Sequence, residues 1–375
     1  MSAALATAAE SAPVTACARC LRRAWLVEAL ADHLERVSRV DALDATLALS
    51  DAALTAALAP AGPSRRRLRT CYQGFDAESA AATTRAAGLH AVCRHDGGYP
   101  TPLHDLAGPP AVLFASNPRR LGELTGEPLV AVVGARRASA YGLRIARDLG
   151  RGLSAAGVTV VSGLALGVDS AAHSGALEAG GRTIAVLGGG ADVPYPRTKR
   201  ALHARLLREG LVVSELPPGA SVRRWSFPAR NRIIAALARV TVVVEAAERS
   251  GALITARVAR ELGRDVAAVP GEATARLAAG TNALIRDGAH LVTSAQDVLD
   301  LACGVGVRSP PALPDPESLE PRLRDVYAAV QAGRDSPGAL AATREEARAV
   351  LVALTELELR GFLRRGRGGR YEPCG

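Results

Sequence analysis

A chain of 375 residues is long enough for two or three domains, and 48% hydrophobic with 22% charged residues excludes wholesale disorder. No apolar run approaches the roughly 18–20 residues that span a bilayer. The first dozen residues hold no Lys or Arg and no apolar stretch, so neither a membrane association nor a secretory signal is expected. The formal charge of +9 suits a polyanionic partner, but only one of the 46 basic residues is a lysine, Lys199. That bias looks like the mark of a GC-rich genome, so the position of the arginines has to carry the argument rather than their number. Six scattered cysteines make no disulfide framework and point to a reducing cytoplasm.

Residues 1–95 are Ala- and Leu-rich with helical spacing, as in Trp25, Leu26, Ala29, Leu30 and His33, Leu34, Val37. They read as a small helical domain of the SAM or helix-hairpin-helix kind. Pro60, Gly62 and Pro63 interrupt the pattern, and Arg65, Arg66, Arg67 and Arg69 after them read as a solvated face. Over 96–303 short apolar runs at 129–134, 158–162, 182–187, 211–215, 240–245, 265–269 and 289–293 alternate with helix-length amphipathic segments. Strands apolar on both faces and separated by helices predict an α/β, Rossmann-like, doubly wound and mostly parallel sheet. Residues 304–318, with Pro310, Pro311, Pro314 and Pro316, read as a stiff linker. Over 319–375 a helix near 321–332 precedes an N-cap at Ser336-Pro337 and a capping box from Thr343 to Glu346. Gly361 ends the last helix, and a hairpin around Gly366, Gly368 and Gly369 completes a winged-helix-like pattern.

In an open α/β sheet the ligand sits beyond the carboxyl ends of the strands, so the residues after each strand are the candidates. After the first come Gly134, able to admit a close backbone approach, Arg136 and Arg137, and Ser139, a cap for the next helix. The second is followed by Ser162-Gly163, the third by Gly188, Gly189, Gly190, Tyr195 and Lys199. The fourth leads to Trp225, Phe227, Arg230, Asn231 and Arg232, and the fifth to Ser250, Gly251 and Thr255 at a helix start. Small residues at helix N-termini offer N–H groups to anions. Of twelve aromatic residues in the chain, Tyr141, Tyr195, Trp225 and Phe227 fall in these loops rather than in the expected core. Aromatics beside a basic, phosphate-binding edge are how single strands are held without sequence preference. A dinucleotide cofactor is not expected, because the first turn lacks G-x-G-x-x-G and the second strand ends without an acid. No Gly-Lys-Ser/Thr triplet marks a P-loop either, and no cofactor is assigned.

Taken together, VVGARRASAYG (132–142), VSGLALGVDSAAHSGAL (161–177), TIAVLGGGADVPYP (183–196), SELPPG (214–219), FPARNRIIAAL (227–237), VEAAERSGALITARVA (244–259) and VPGEATARLAAGTNALIRDGA (269–289) resemble the DNA-processing protein A family, also called Smf. The segment YPTPLHDLAGPPAVLF (99–114) fits the approach to that family's central domain. The resemblance implies a protein that binds single-stranded DNA and loads the recombinase RecA in natural transformation or recombination, with DNA site and homodimer interface both in the Rossmann-like domain. It implies phosphate contacts for Arg136 and Arg137, stacking for Phe227, backbone contacts for Arg230 and Arg232, and donors from Ser250, Gly251 and Thr255. Lys199 stands where the family often has another polar residue. The same fold superfamily includes nucleotide phosphoribohydrolases. GGGADVPYP lacks their Gly-Gly-x-Gly-Thr plus Glu arrangement, and Glu215 and Glu245 fall outside it, so hydrolysis is the second reading. A pure protein-interaction scaffold is the third.

Asp169 and His173 lie four residues apart on a helix with no nucleophile or third ligand evident, and read as structural hydrogen-bonding groups. Cys17 and Cys20 form a C-x-x-C that Cys93 and His95 would complete as a zinc site, but the spacing of the second pair is unusual and far along the chain, so no metal is assigned. Cys71, Cys303 and Cys374 have no evident partners. In the last domain the helix 343–360 sets Arg344, Arg348 and Arg360 against Glu345, Glu346, Glu356 and Glu358, a poor composition for a DNA groove. The hairpin carries Arg364, Arg365, Arg367 and Arg370, so a weak backbone contact is expected of the hairpin and protein contacts of the helix.

Overall fold

A computed structural model describes residues 16–37, 43–59, 62–310, 316–341 and 343–373. Pro60, Pro311, Pro314, Cys374 and the first 15 residues, on which some of the expectations above rest, lie outside the described residues. The described residues fall into two compact units that part after Pro310.

In the first unit α1 (Ala18–Ala29), α2 (Ala31–Val37), α3 (Leu43–Leu47), α4 (Asp51–Leu58), α5 (Pro63–Gln73) and α6 (Ala77–Ala86) precede β1 (His90–Cys93), β2 (Val112–Ala115) and α7 (Pro118–Thr125). Strands and helices then alternate through β3 (Leu129–Val133), α8 (Ala140–Ala155), β4 (Thr159–Ser162), α9 (Val168–Glu178), β5 (Thr183–Leu187), α10 (Arg200–Glu209) and β6 (Leu211–Ser214). The alternation continues with α11 (Ser226–Leu237), β7 (Val240–Val243), α12 (Gly251–Glu261), β8 (Asp265–Ala268), α13 (Ala279–Arg286), β9 (His290–Leu291) and α14 (Ala295–Cys303).

The nine strands form one sheet in the order β1-β2-β6-β5-β4-β3-β7-β8-β9. Every pairing from β6 through β9 is parallel, whereas β1–β2 and β2–β6 are antiparallel. Alternation along β3 shows why its run is apolar throughout. Leu129, Ala131 and Val133 pack on one face with Ile233, Ile234 and Ala256 from α11 and α12, and Val130 and Val132 pack on the other with Leu149, Ala172 and Val298 from α8, α9 and α14. Both faces are covered, so the sheet is the doubly wound, Rossmann-like one expected. The chain runs from β3 out to β6 and returns to place β7 on the other side of β3. The reversal opens a crevice at the carboxyl ends of β3 and β7.

Two strands were not anticipated. β1 and β2 are short and sit at one edge of the sheet, pairing His90 with Ala115 and Cys93 with Val112. The seam expected between residues 95 and 96 therefore falls just after a strand of the sheet and inside one compact unit. The last expected strand, 289–293, is reduced to His290–Leu291. Arg66, Arg67 and Arg69 on α5 are exposed, while the half-buried Arg65 donates to Ala56 O and Ala59 O.

The second unit holds α15 (Pro321–Gln331), α16 (Pro337–Leu340), α17 (Arg344–Leu359) and the antiparallel pair β10 (Leu363–Arg365) and β11 (Tyr371–Pro373). The Thr343–Glu346 capping box forms. Leu323, Tyr327, Leu354, Leu357, Phe362 and Tyr371 make its core. No helix among the described residues is long and apolar enough to cross a membrane.

Candidate nucleic-acid interface

The crevice at the β3–β7 reversal opens into a cleft of about 820 Å³. Its walls are the turn after β3 with Gly134, Arg136 and Arg137, the start of α11 with Phe227, Arg230 and Asn231, and the start of α12 with Ser250, Gly251 and Thr255. Nine of the thirteen residues expected from the sequence thus line one cavity. Five arginines, Arg136, Arg137, Arg230, Arg249 and Arg276, face two acids there, Asp169 and Glu248. A concave, arginine-lined surface of this kind concentrates polyanions.

At one wall Arg136 lays its guanidinium 4.5 Å above the ring of Phe227, and Tyr195 sits beside the same ring at 5.8 Å. Arg136 is exposed, Tyr195 is 44% exposed and Phe227 is half-buried, so the cluster presents itself to solvent. Tyr195, Phe227, Arg136 and Arg230 also line a small adjoining pocket. Planar cation, ring and ring together offer the surfaces on which bases stack and a charge for the phosphate beside them.

Beneath this cluster lies a buried polar network. Arg230 donates through Nη1 to Gly163 O at 2.5 Å and to Val186 O at 2.7 Å, and through Nε to Asn231 Oδ1 at 3.1 Å. Burial pulls Arg230 down to about 10, with the charge of Asp169 acting in its favour, so it stays cationic at neutral pH. Burial pushes the Asp169 carboxyl up, opposed by Arg230 and by the N–H groups of Ala165 and Gly163. His173, fully inside, pairs its Nδ1 with Thr183 Oγ1 at 2.7 Å, and burial pulls it down to about 3. Asp169 and His173 are thus bound into the helix start and the sheet, as structural groups. Arg230 is 6% exposed and satisfied by carbonyls. It contributes positive potential to the cleft floor rather than an extended arm.

The α12 end of the cleft is open. Ser250 accepts from Ala252 N at 3.3 Å, Gly251 is exposed, and a Cβ at Gly251 would meet nothing within 4 Å. Thr255, one turn on, lines the cleft although only 1% exposed. Asn231 joins α11 to this end by donating to Gly251 O at 3.3 Å.

Several expectations need correction. Arg232 does not reach the cleft: it is 2% exposed and donates to both carboxylate oxygens of Glu215 at 2.5 and 2.6 Å and to Gly108 O at 2.6 Å. It lies two positions beyond Arg230 on a helix, and that rotation turns it toward the other side of α11. Ser139 does cap α8, through Gly142 N, but its N–H and hydroxyl both donate to Glu245, at 2.9 and 2.5 Å. Glu245 thereby occupies the helix start where an external anion was expected. Gly163 lines only the small adjoining pocket, and Lys199, half-buried in the turn Arg197–Lys199, lines neither cavity. Trp225 is a core residue, 1% exposed among Leu30, Leu54 and Leu216. Tyr141 belongs to a neighbouring pocket with Pro270 and Thr281. Glu215 and Glu245, weighed for hydrolysis, are held by Arg232 and Ser139 and do not line the cleft.

Sequence reasoning missed Arg249 and Arg276. Arg249 directly precedes the Ser250-Gly251 helix start, a position that already marked it as a loop residue after a strand. Arg276 comes from the segment after β8, too far from its strand for such a rule. Outside the cleft, Cys17, Cys20, Cys93 and His95, for which no metal was assigned, bring their ligand atoms within 4.8 Å of one another.

Comparison with known proteins follows the same boundaries. The family model described as DNA recombination-mediator protein A matches residues 90–302, which is β1 through α14. A protein of Mycobacterium tuberculosis named putative DNA processing protein DprA is 50% identical over 197 residues, covering 52% of this chain and half the length of that relative. The crystal structure of DNA processing protein A from Streptococcus pneumoniae superposes with a TM-score of 0.60 at 35% identity, covering 75% of this chain and 95% of that one. A structure of DNA processing protein A from Helicobacter pylori, described for its single-stranded DNA binding mode, gives a TM-score of 0.51 at 28% identity over 56% of this chain and 94% of that one. With the β3–β7 cleft inside the matched region, the chain belongs to the DNA recombination-mediator protein A family.

Proposed function

We propose that this chain is a recombination mediator that binds single-stranded DNA along the β3–β7 cleft. The observation that carries the reading is the exposed cluster of Arg136 over Phe227 with Tyr195 beside it, at the mouth of an arginine-lined cleft. Phosphates lie against Arg136, Arg137, Arg249, Arg276 and the open start of α12, while bases stack on Phe227 and Tyr195. The Helicobacter relative is described as a single-stranded DNA binder, which supports the same substrate here. In the finer reading, residues 96–303 form the DNA-binding domain and dimerise, and the bound strand is handed to RecA. Residues 319–375, three helices and a hairpin, form a winged-helix-like domain with an auxiliary contact. The work is positioning, with no bond broken.

Fluorescence anisotropy with an oligo-dT strand and with its duplex counterpart, across a salt series, tests the reading. Single strands bind more tightly, log affinity falls linearly with log salt, and Arg136→Ala with Arg276→Ala flattens the slope. Equal and weak binding to both forms, unchanged in the double variant, would replace this reading with a small-nucleotide site. Sedimentation and the rate of RecA filament growth on single strands test dimer formation and hand-over.

A further inference from the structure

Cys17 is the N-cap of α1 and Cys20 lies in its first turn, while Cys93 is the last residue of β1 and His95 follows in the next turn. The two pairs are 78 positions apart from Cys17 to His95, yet Cys17 Sγ stands 3.6 Å and Cys20 Sγ 3.4 Å from the same nitrogen, His95 Nδ1. One ring nitrogen has a single proton or a single lone pair, so the two thiols can at best share it in a weak three-centre bond. The arrangement is that of four ligand atoms around a common centre. With Zn–S near 2.3 Å and Zn–N near 2.0–2.1 Å, tetrahedral coordination sets sulfur–nitrogen edges of about 3.5 Å and sulfur–sulfur edges of about 3.8 Å. The two sulfur–nitrogen distances already match, and all four atoms lie within 4.8 Å of one another. Cys20 and Cys93 are 1% and 3% exposed, and Cys17 and His95 are exposed, so the latter two have room to rotate inward.

We propose that Cys17, Cys20, Cys93 and His95 hold one zinc ion in a closed structural site that fastens α1 to the β1 edge of the sheet. Three thiolates and one imidazole fill a tetrahedron and leave no position for substrate, the mark of a structural rather than catalytic ion. Three thiolates around a dication carry a net negative charge, and the α1 N-terminus lies where it favours one. Arg19 and Arg94, which line a polar pocket with Cys20, add positive charge beside the site. The surroundings connect the two halves independently of the metal, since Ala16 N donates to Ala91 O at 3.1 Å. The ion closes a chain loop that contains α1 through α6, so it anchors the whole helical segment with a single cross-link. Long closed loops gain the most from such a link.

Metal analysis of the full chain, purified with a reductant and dialysed, tests the site. About one equivalent of zinc per chain is expected. Exchange with cobalt(II) yields the intense visible bands of a tetrahedral ion and the near-ultraviolet thiolate-to-cobalt charge-transfer band. Cys17→Ser and His95→Asn alter exposed positions, and each weakens zinc retention at least tenfold in competition with a chromophoric chelator. Cys71→Ser and Cys303→Ser leave it unchanged. Zinc removal increases proteolysis within residues 17–95 before the parallel strands are cut. Zinc well below stoichiometry with no charge-transfer band, retention insensitive to both ligand variants, or an intact mass two hydrogens short from a disulfide among these cysteines would each overturn the assignment.

Discussion

The guanidinium of Arg230 occupies the space that a side chain at residue 163 would need. A Cβ on Gly163 would fall 1.7 Å from Arg230 Nη1, the nitrogen that donates to Gly163 O and Val186 O. The glycine is required there by close packing against a buried cation, whereas Gly251 has open space around it. Gly163→Ala must expel the guanidinium or shift the turn after β4. An unfolding free-energy loss of about 1–3 kcal/mol is expected, at the upper end because a charged group is displaced. Gly251→Ala is the matched control, with stability within about 0.5 kcal/mol of wild type and weaker single-strand binding where the phosphate approaches α12. Urea denaturation and anisotropy on both variants check the pair. Equal stability losses would contradict the packing argument.

Arg232 carries a different expectation from its neighbour in sequence. Its guanidinium is enclosed and bound by Glu215 and Gly108 O, with Asp44 at 4.0 Å. Arg232→Ala leaves the Glu215 carboxylate with its partner removed in a largely buried site. Breaking a buried pair from one side costs about 3–5 kcal/mol. The variant therefore loses thermal stability strongly, while the salt dependence of DNA binding, measured at a temperature where it stays folded, keeps the wild-type slope. A flattened slope in a folded Arg232→Ala protein would place this residue in the interface after all.

The two arginines also show what could be read from the sequence. Strand positions and the crevice were legible because apolar runs such as Leu129–Val133 pack on both faces and leave a strong local signal. The residues after β3 and at the start of α12 followed from the rule that ligands lie beyond the carboxyl ends. Sequence proximity did not reveal which side of α11 each arginine takes, because helical rotation separates Arg230 from Arg232. Ser139 was misread for a similar reason: its partner Glu245 arrives from the loop after β7, 106 positions away. β1 and β2 are four-residue strands with no alternating helix between them, so the βαβ pattern passed over them. Their pairing in turn positions Cys93 and His95 beside α1.

His173 predicts a specific acid sensitivity. Its folded-state value, lowered by burial to about 3 from 6.5, means the unfolded chain takes up a proton that the folded chain refuses. The stability it contributes is complete above 6.5 and is lost as pH falls toward 3, with a limiting slope of about 1.4 kcal/mol per pH unit. Asp169 acts in the opposite sense. Its carboxyl is raised by burial, so acidification relieves an unfavourable buried charge. Asp169 is common to wild type and a His173 variant, so the difference between their slopes from pH 6.5 to about 5 isolates the histidine. His173→Gln lowers stability at pH 7.5 but makes its decline from pH 6.5 to about 5 shallower. Chemical denaturation at intervals across that window checks the difference in slope, and parallel curves would show that His173 is protonated in the folded protein.

The cluster of Arg136, Phe227 and Tyr195 separates charge from stacking, and the two leave different signatures. A phosphate contact contributes to the salt slope, by about 0.7 per contact on a single strand. A stacked ring contributes affinity of about 1–3 kcal/mol per base and almost no salt dependence. Arg136→Ala should therefore lower both affinity and slope, while Phe227→Ala lowers affinity and leaves the slope. Arg136→Lys keeps the charge and the slope but loses the planar face that lies 4.5 Å over Phe227. If that stack is built for binding, the Arg136→Ala and Phe227→Ala losses sum to more than the loss in the double variant, since each removes part of the same surface. Strict additivity in this cycle, or a slope change in Phe227→Ala, would mean that DNA does not bind across the pair. The strand would then follow Arg249 and Arg276, which line the same cleft.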